Sequence, residues 1–294
     1  MDFIANLMDA ELDPVEWARV REDEGWHVLG CADHFFSATK TYPHVWVTLA
    51  AMASATTKVN LTTSFANNLF RSPVEFAQAS LQMQRISHGR FEAGLGAGWE
   101  RAEAIGADID YPEAAVRAER FIEAAKIVRQ FFDTGACRFE GKHYDIDVPR
   151  LGPVPAGGAP PLVCSLGGPR TIRNIAPIAD RVEVKLISNI TRDGAVNLSA
   201  MASVPESHLH DLVKQIRDVN PTVPLSVFIL CSAGDDERSK SVESMLGDSF
   251  LGEFFGAPGK VAAAMVRLAD AGVDRIEVSP FTEASFAALA RELF

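Results

Sequence analysis

Asp33-His34 is the pair in this chain best suited to moving a proton. A histidine at a strand end can hydrogen-bond a ligand or exchange a proton near neutral pH. The same dipeptide also suits a plain turn, with Asp33 capping and His34 packed on a rim. The other histidines with a readable place are bland: His88 falls in a turn, and His208 and His210 open an exposed helix. A second feature is Gly94-Leu95-Gly96-Ala97-Gly98, followed by Trp99 and Glu100. It is not a dinucleotide fingerprint. Arg101 stands where a closing Gly or Ala belongs, and no early βαβ unit with its acidic residue is present. Glycines at a strand end still let something approach the backbone closely. A large planar ring is one candidate, and Trp99 packed over the rim is the other. A third feature, Gly167-Gly168-Pro169-Arg170-Thr171, combines a Gly-Gly turn, a helix start and a guanidinium. That combination suits an anion such as phosphate, though an exposed Arg on a Gly loop has the same sequence. No Lys-Ser/Thr follows the glycines, so it is not a nucleotide P-loop. No strand ends in HxH, HExxH or DxD, and no GxSxG elbow occurs, which argues against metal-hydrolase and serine-hydrolase chemistry.

These residues sit where strands are expected to end. Strands are expected at Phe3–Met8, His27–Cys31, Val59–Phe65, Arg90–Leu95, Leu162–Leu166, Arg181–Ile187, Leu225–Cys231 and Asp274–Ser279. They are short and mostly apolar, as strands covered on both faces are. Helices are expected at Pro14–Glu24, Val45–Ala55, Ser72-Pro73 to about Ile86, Ala114–Phe132, Thr171–Ala179, Leu209–Asp218, Lys260–Ala271 and Ala284–Leu293. Asp13 and Ser72 are the N-caps, and Gly272 is the C′ residue of its helix. Arg138–Ile146 reads as a hairpin turning at Glu140-Gly141-Lys142, and the Pro/Gly stretch from Pro149 to Pro161 as a loop. Alternating strands and helices imply a parallel sheet. Eight such units in 294 residues suit a closed (β/α)8 barrel, an α/β fold, better than an open doubly wound sheet. In a barrel, His34, Ser64-Phe65-Ala66-Asn67, Gly96–Glu100 and Gly167–Thr171 all fall at the C-terminal mouth, where barrel active sites are built.

The composition is that of a globular protein, expected to form one domain over residues 1–294: 47% hydrophobic, 23% charged. The formal net charge of −11 disfavours nucleic acid and anionic membrane as partners. An anionic ligand would therefore need a locally basic site. No run of about 20 apolar residues is present, so no membrane span is expected. Met1-Asp2-Phe3-Ile4 lacks the features of a signal peptide, and the four cysteines are isolated. A reducing cytoplasm is the expected compartment.

Several ordered segments carry a resemblance: Gly25-Trp26, Ala32-Asp33-His34-Phe35, Thr62-Thr63-Ser64, Arg71-Ser72-Pro73, Ile86–Glu92, Gly94–Trp99, Leu166–Thr171 and Gly272–Arg275. Together they resemble the bacterial luciferase-like flavin/deazaflavin oxidoreductase family, nearest to its deazaflavin-dependent branch. The resemblance implies a TIM barrel holding coenzyme F420 or FMN at its mouth, a small-molecule substrate, and a homodimer. It implies a cis peptide at Ser64–Phe65. It places Asp33 and His34 beside the ring, with His34 as proton donor or acceptor. Ser64, Phe65 and Asn67 would support the ring's far face, and Gly96, Ala97, Gly98, Trp99 and Glu100 would line its edge. Gly167, Gly168, Arg170 and Thr171 would hold the phosphate. The implied activity is hydride transfer between F420 and a small organic substrate. An FMN-dependent monooxygenase and a flavin-binding barrel without catalysis are the alternatives. Sugar-phosphate dehydrogenase relatives carry Glu where this chain has Trp99, a departure that bears on substrate. Segments at about Ile105–Ala114 and Ser188–Glu206 are the expected lids.

Overall fold

The computed structural model describes residues 1–294 apart from 38–39, 153, 189, 192–193 and 195–197 and the side chain of Leu198. Among the described residues, eight parallel strands close into a ring. They are β1 (Asp2–Leu7), β2 (Val28–Cys31), β3 (Asn60–Thr63), β4 (Phe91–Gly96), β5 (Leu162–Leu166), β6 (Arg181–Val184), β7 (Leu225–Ala233) and β8 (Arg275–Pro280). β8 pairs back onto β1 with Asp2 opposite Arg275, which closes the barrel. Helices pack around it: α1 (Pro14–Asp23), α2 (Val45–Ala55), α3 (Pro73–Ile86), α4 (Arg101–Gly106), α5 (Ala114–Thr134), α6 (Pro169–Ile175), α7 (Leu198–Met201), α8 (Glu206–Val219), α9 (Glu237–Leu246), α10 (Pro258–Arg267) and α11 (Ala284–Leu293). This is the expected (β/α)8 architecture, and the open-sheet alternative is set aside by the β8–β1 pairing.

Local chemistry fixes several helix starts. The Asp13 carboxylate accepts from the Val15 and Glu16 amides at 2.8 and 3.1 Å, and Pro14 fills the first helical position. Ser72 accepts from Val74 N at 3.1 Å in the same way at α3. The core lies between ring and helices. Trp17 and Trp26 both pack edge-on against Phe286 of α11, at 5.6 and 5.4 Å between ring centroids. All four cysteines are buried and free.

The barrel lining is polar where strand alternation turns side chains inward. Asn6, Glu92, Glu183, Ser226, Arg275, Glu277 and Ser279 are all buried. At the N-terminal end Arg275 closes the ring with Glu92 at 2.6 Å and Asp2 at 3.4 Å.

Several boundaries differ from the sequence reading. The third strand stops at Thr63, the chain bulges through Ser64-Phe65, and a stub, Ala66–Asn67, then pairs with Leu95 and Gly96 of β4. The sixth strand ends at Val184 because the chain turns at Lys185–Ser188. α6 begins at Pro169, two residues early, since Pro suits N1, and it ends at Ile175. α4, α7, α9 and the turn of 3-10 helix at Phe250–Phe254 had no sequence assignment. β7 runs on to Ala233 because Phe255–Gly256 pairs beside its last residues. No helix among the described residues is long and apolar enough to cross a membrane.

Candidate active site

At the end of β2 the chain leaves the barrel as Ala32-Asp33-His34. Asp33 is buried and fully occupied. It pairs with both terminal nitrogens of Arg71, one at 2.9 Å, and accepts from the Asn67 amide at 2.6 Å. Arg71 in turn reaches Glu75 at 3.2 Å. Asp33 therefore ties the loop after β2 to the stub after β3. It does not bond the imidazole beside it.

His34 takes its carboxylate from elsewhere. Nδ1 lies 2.8 Å from Oε2 of Glu103, and the other oxygen of Glu103 accepts from the Phe35 amide. Glu103 sits inside α4 and is completely buried. A carboxylate on Nδ1 fixes the ring's orientation and leaves Nε2 as the nitrogen that exchanges a proton. The imidazole stands between Tyr42 (5.0 Å) and Trp99 (5.7 Å, edge-on). Burial raises the carboxyl of nearby Glu100 and the phenol of Tyr42.

Ser64–Phe65 is cis, as the resemblance implied. The glycines of β4 make room for this bulge. A Cβ on Gly94 would stand 2.0 Å from the Thr63 carbonyl oxygen and 3.0 Å from the Phe65 ring. One on Gly96 would meet Phe65 Cβ at 3.3 Å. The close neighbour expected at these two glycines is thus the protein's own chain. Gly98 has φ +82°, and a Cβ there would come 2.3 Å from Asn67 Oδ1, which accepts from Leu69 N at 2.9 Å. The Trp99 carbonyl accepts from Tyr111 Oη at 2.8 Å, tying the first lid to the end of β4. Gly194, from the second lid, accepts from the Arg101 amide at 3.0 Å, and a Cβ on it would strike Arg101 and the Tyr111 hydroxyl. The rest of that lid lies partly outside the described residues.

The Gly-Gly segment is more self-contained than expected. A Cβ on Gly167 would strike Ser188 and the Lys185 carbonyl, at 2.6 and 2.7 Å. Ser188 donates to Gly167 O at 3.0 Å, and Thr171 to Gly168 O at 2.9 Å. Arg170 points to α5, where Glu119 binds it at 2.9 Å. Glu119 also holds Lys142 at 2.8 Å and His143 at 2.9 Å, both from the turn of the Cys137–Glu140/Asp145–Val148 hairpin. Hydrogen bonds from Lys142, His143 and Arg170 draw its carboxyl down to about 2. Asp33, His34, Ser64, Phe65, Asn67, Gly96, Gly98 and Trp99 are thus linked into one cluster, with Ala97 and Glu100 on the same turn. Gly167, Gly168, Arg170 and Thr171 form a separate outer group.

Sequence reasoning missed Glu103, Arg71, Glu183, Lys185 and Glu277. For two of these a signal existed, an acid inside an apolar strand: Val182-Glu183-Val184 and Ile276-Glu277-Val278. Burial lifts Glu183 to about 7 and lowers Lys185 to about 8. Burial, with the charge of Glu183, raises Glu277 well above the usual carboxylate range. No group of three or more His, Cys, Asp or Glu among the described residues is placed to hold a metal.

Residues 12–240 match the family model described as luciferase-like monooxygenase. The chain belongs to this family. As a luciferase-like protein it is 31% identical over 160 residues to an F420-dependent glucose-6-phosphate dehydrogenase of Mycobacterium avium, covering 53% of this chain and 47% of that one. It is 26% identical over 183 residues to the 5,10-methylenetetrahydromethanopterin reductase of Archaeoglobus fulgidus, covering 62% and 51%. The chain thus spans about half the length of the curated relatives it matches. Among solved structures, an F420-dependent secondary alcohol dehydrogenase superposes with a TM-score of 0.76 at 16% identity, covering 100% and 98%. A monooxygenase from Streptomyces bottropensis gives 0.73 at 19%, covering 100% and 96%. Those likenesses establish the luciferase-like barrel fold.

Proposed function

We propose that this luciferase-like barrel is an oxidoreductase that moves a hydride between coenzyme F420 and a small organic substrate. The observation that carries the reading is the His34–Glu103 pair at the barrel mouth, edge-on to Trp99. The relatives named for F420 support the choice of coenzyme. The mouth offers what a polycyclic ring needs: His34 Nε2 without a described partner, the Ser64 hydroxyl, and aromatic faces at Trp99, Tyr42 and Phe65. Bound deazaflavin would supply two-electron hydride chemistry. His34 gives or takes the substrate proton at Nε2, and Glu103 holds the imidazole at Nδ1 while that charge changes. Asp33 holds the mouth in shape through Arg71 and Asn67. Arg170, with Lys142 and His143 sharing Glu119, gathers cations for an anionic tail on an otherwise acidic chain.

Trp99, standing where sugar-phosphate dehydrogenases carry Glu, favours a substrate other than a sugar phosphate. Fluorescence titration with F420 and with FMN tests the coenzyme. The proposal expects F420 to bind at least about tenfold more tightly, a difference of about 1.4 kcal/mol. Tighter FMN binding together with oxygen uptake by the reduced complex would replace it with the monooxygenase reading.

A further inference from the structure

Glu277 stands on β8 inside the barrel and is 1% exposed. Its Oε1 accepts from the Ser64 hydroxyl and from Asn6 Nδ2 at 3.4 Å. Its Oε2 is buried and has no partner among the described residues, and Asn6 Oδ1 is in the same condition. An ionised carboxylate with one bare oxygen in a closed interior is strongly disfavoured, whereas a carboxylic acid is not. The nearest acid, Glu183 on β6, is buried too, and it accepts from the Phe228 amide at 3.2 Å. The cation of the same face, Arg275, is committed to Glu92 and Asp2. Lys185 follows the end of β6, and Glu183 acts on its charge. Among the described residues no cation is paired with Glu277. Asn6, Ser279 and Glu183 are sealed from solvent; Lys185 is partly exposed but lies beyond Glu183, and among the described residues that hydrogen-bond Glu277, Ser64 is the partly exposed one. Ser64 is both the roof of the closed interior and the floor of the mouth.

We propose that Glu277 holds a proton at neutral pH and exchanges it with the mouth through the Ser64 hydroxyl. In the outward step the proton stands on Glu277 Oε1 and the Ser64 hydroxyl turns from that oxygen toward the mouth; the Glu277 O–H bond then breaks and its proton passes to Ser64 Oγ. The Ser64 O–H bond breaks in concert, and that proton passes to a basic nitrogen or oxygen of a ligand lying above it. Glu277 is left as a carboxylate and the ligand gains one proton, with no change of oxidation state. The reverse step recharges it. The identity of the acceptor rests on the function proposed above; the proton on Glu277 and its route through Ser64 do not. Ser64 is the group that touches the ligand, and Glu277 acts through it.

Infrared difference spectra of the ligand-free protein read both parts. At pH 7 the wild type should show the carbonyl band of a protonated carboxylic acid that is absent in Glu277→Gln. On transfer to D2O that band should shift at once in the wild type. In Ser64→Ala it should persist but shift measurably more slowly. The loaded enzyme adds a second reading: Glu277→Gln, which keeps the shape and the bond to Ser64, should lower turnover by roughly 10²-fold with cofactor affinity unchanged. A purely structural Glu277 would leave that variant at the wild-type rate. Absence of the acid band, exchange indifferent to Ser64→Ala, or wild-type turnover in Glu277→Gln would each overturn the proposal. The F420 titration judges the coenzyme separately, since the infrared readouts need no ligand.

Discussion

Glu103 reaches both His34 and the Phe35 amide from inside α4, so one buried carboxylate fixes an imidazole and the backbone that carries it. Groups that act as a unit lose nearly everything when either is removed. His34→Ala and Glu103→Gln should each lower turnover by roughly 10²-fold, and the double variant should fall little further. Steady-state kinetics decide this, and a fast Glu103→Gln enzyme would show that His34 needs no partner. The buried acids make a second residue-level prediction. Burial lifts Glu183 to about 7 and raises Glu277 well above its usual range. Folding therefore favours the protonated form. That stability is complete below the unfolded value of 4.5 and is lost as pH rises through the folded values. Each group can contribute a slope of up to about 1.4 kcal/mol per pH unit. The unfolding free energy should fall as pH rises from about 4.5 through about 7, and Glu277→Gln should flatten that fall. Urea titrations at several pH values measure it; equal slopes would show that Glu277 titrates normally.

At the scale of elements, the fit of β3 against β4 decides the shape of the mouth. Gly94 is there because the Thr63 carbonyl and Phe65 occupy the space a side chain would need. Gly94→Ala cannot be absorbed by a flexible side chain, since the nearest atom is backbone. It should destabilise by about 3 kcal/mol or more. Gly168 is a different case. Its φ is −123°, and the nearest atom to an added Cβ is Thr171 Oγ1 at 3.7 Å. Gly168→Ala should stay within about 0.5 kcal/mol. Thermal and urea unfolding of the two variants tests the contrast, and similar losses would mean that the β3 bulge is not what Gly94 accommodates. Helix boundaries with caps, such as Asp13-Pro14 and Ser72-Pro73, were legible because the cap chemistry is local. α4 was not, since six residues make too little periodicity to read.

At the scale of the whole molecule, a chain of net charge −11 collects cations beside α5. Arg170, Lys142 and His143 converge on Glu119, which already neutralises part of that charge. Arg170 is 55% exposed, so the pair itself adds little to stability, on the order of 0–1 kcal/mol. Arg170→Ala should leave the melting temperature nearly unchanged and weaken a phosphate-bearing coenzyme by up to about fivefold. Glu119→Gln should tighten it. Both differences should shrink as salt rises. Titration of phosphorylated and phosphate-free ligands against both variants reads the effect. Equal losses for the two ligands in Arg170→Ala would show that the guanidinium shapes the loop and does not meet the phosphate.

Alternation of short apolar strands with capped helices favoured the barrel in the sequence alone and marked its mouth residues, while the β8–β1 pairing decided against an open sheet. Both follow from local rules: the order of elements, and the rule that a barrel's loops gather at one end. His34, Ser64, Trp99 and the glycines of β4 were legible for that reason. The partners were not. Glu103 lies 69 positions from His34, and Glu277 lies 213 positions from Ser64. Nothing local marks which carboxylate will meet which imidazole or hydroxyl, because the closed fold brings α4 against the loop after β2 and Glu277 of β8 against the end of β3. Asp33, next to His34 in sequence, instead turned to Arg71 and Asn67. Burial then set the protonation of Glu183 and Glu277, since desolvation depends on everything that surrounds a group, and only the closed barrel supplies those surroundings.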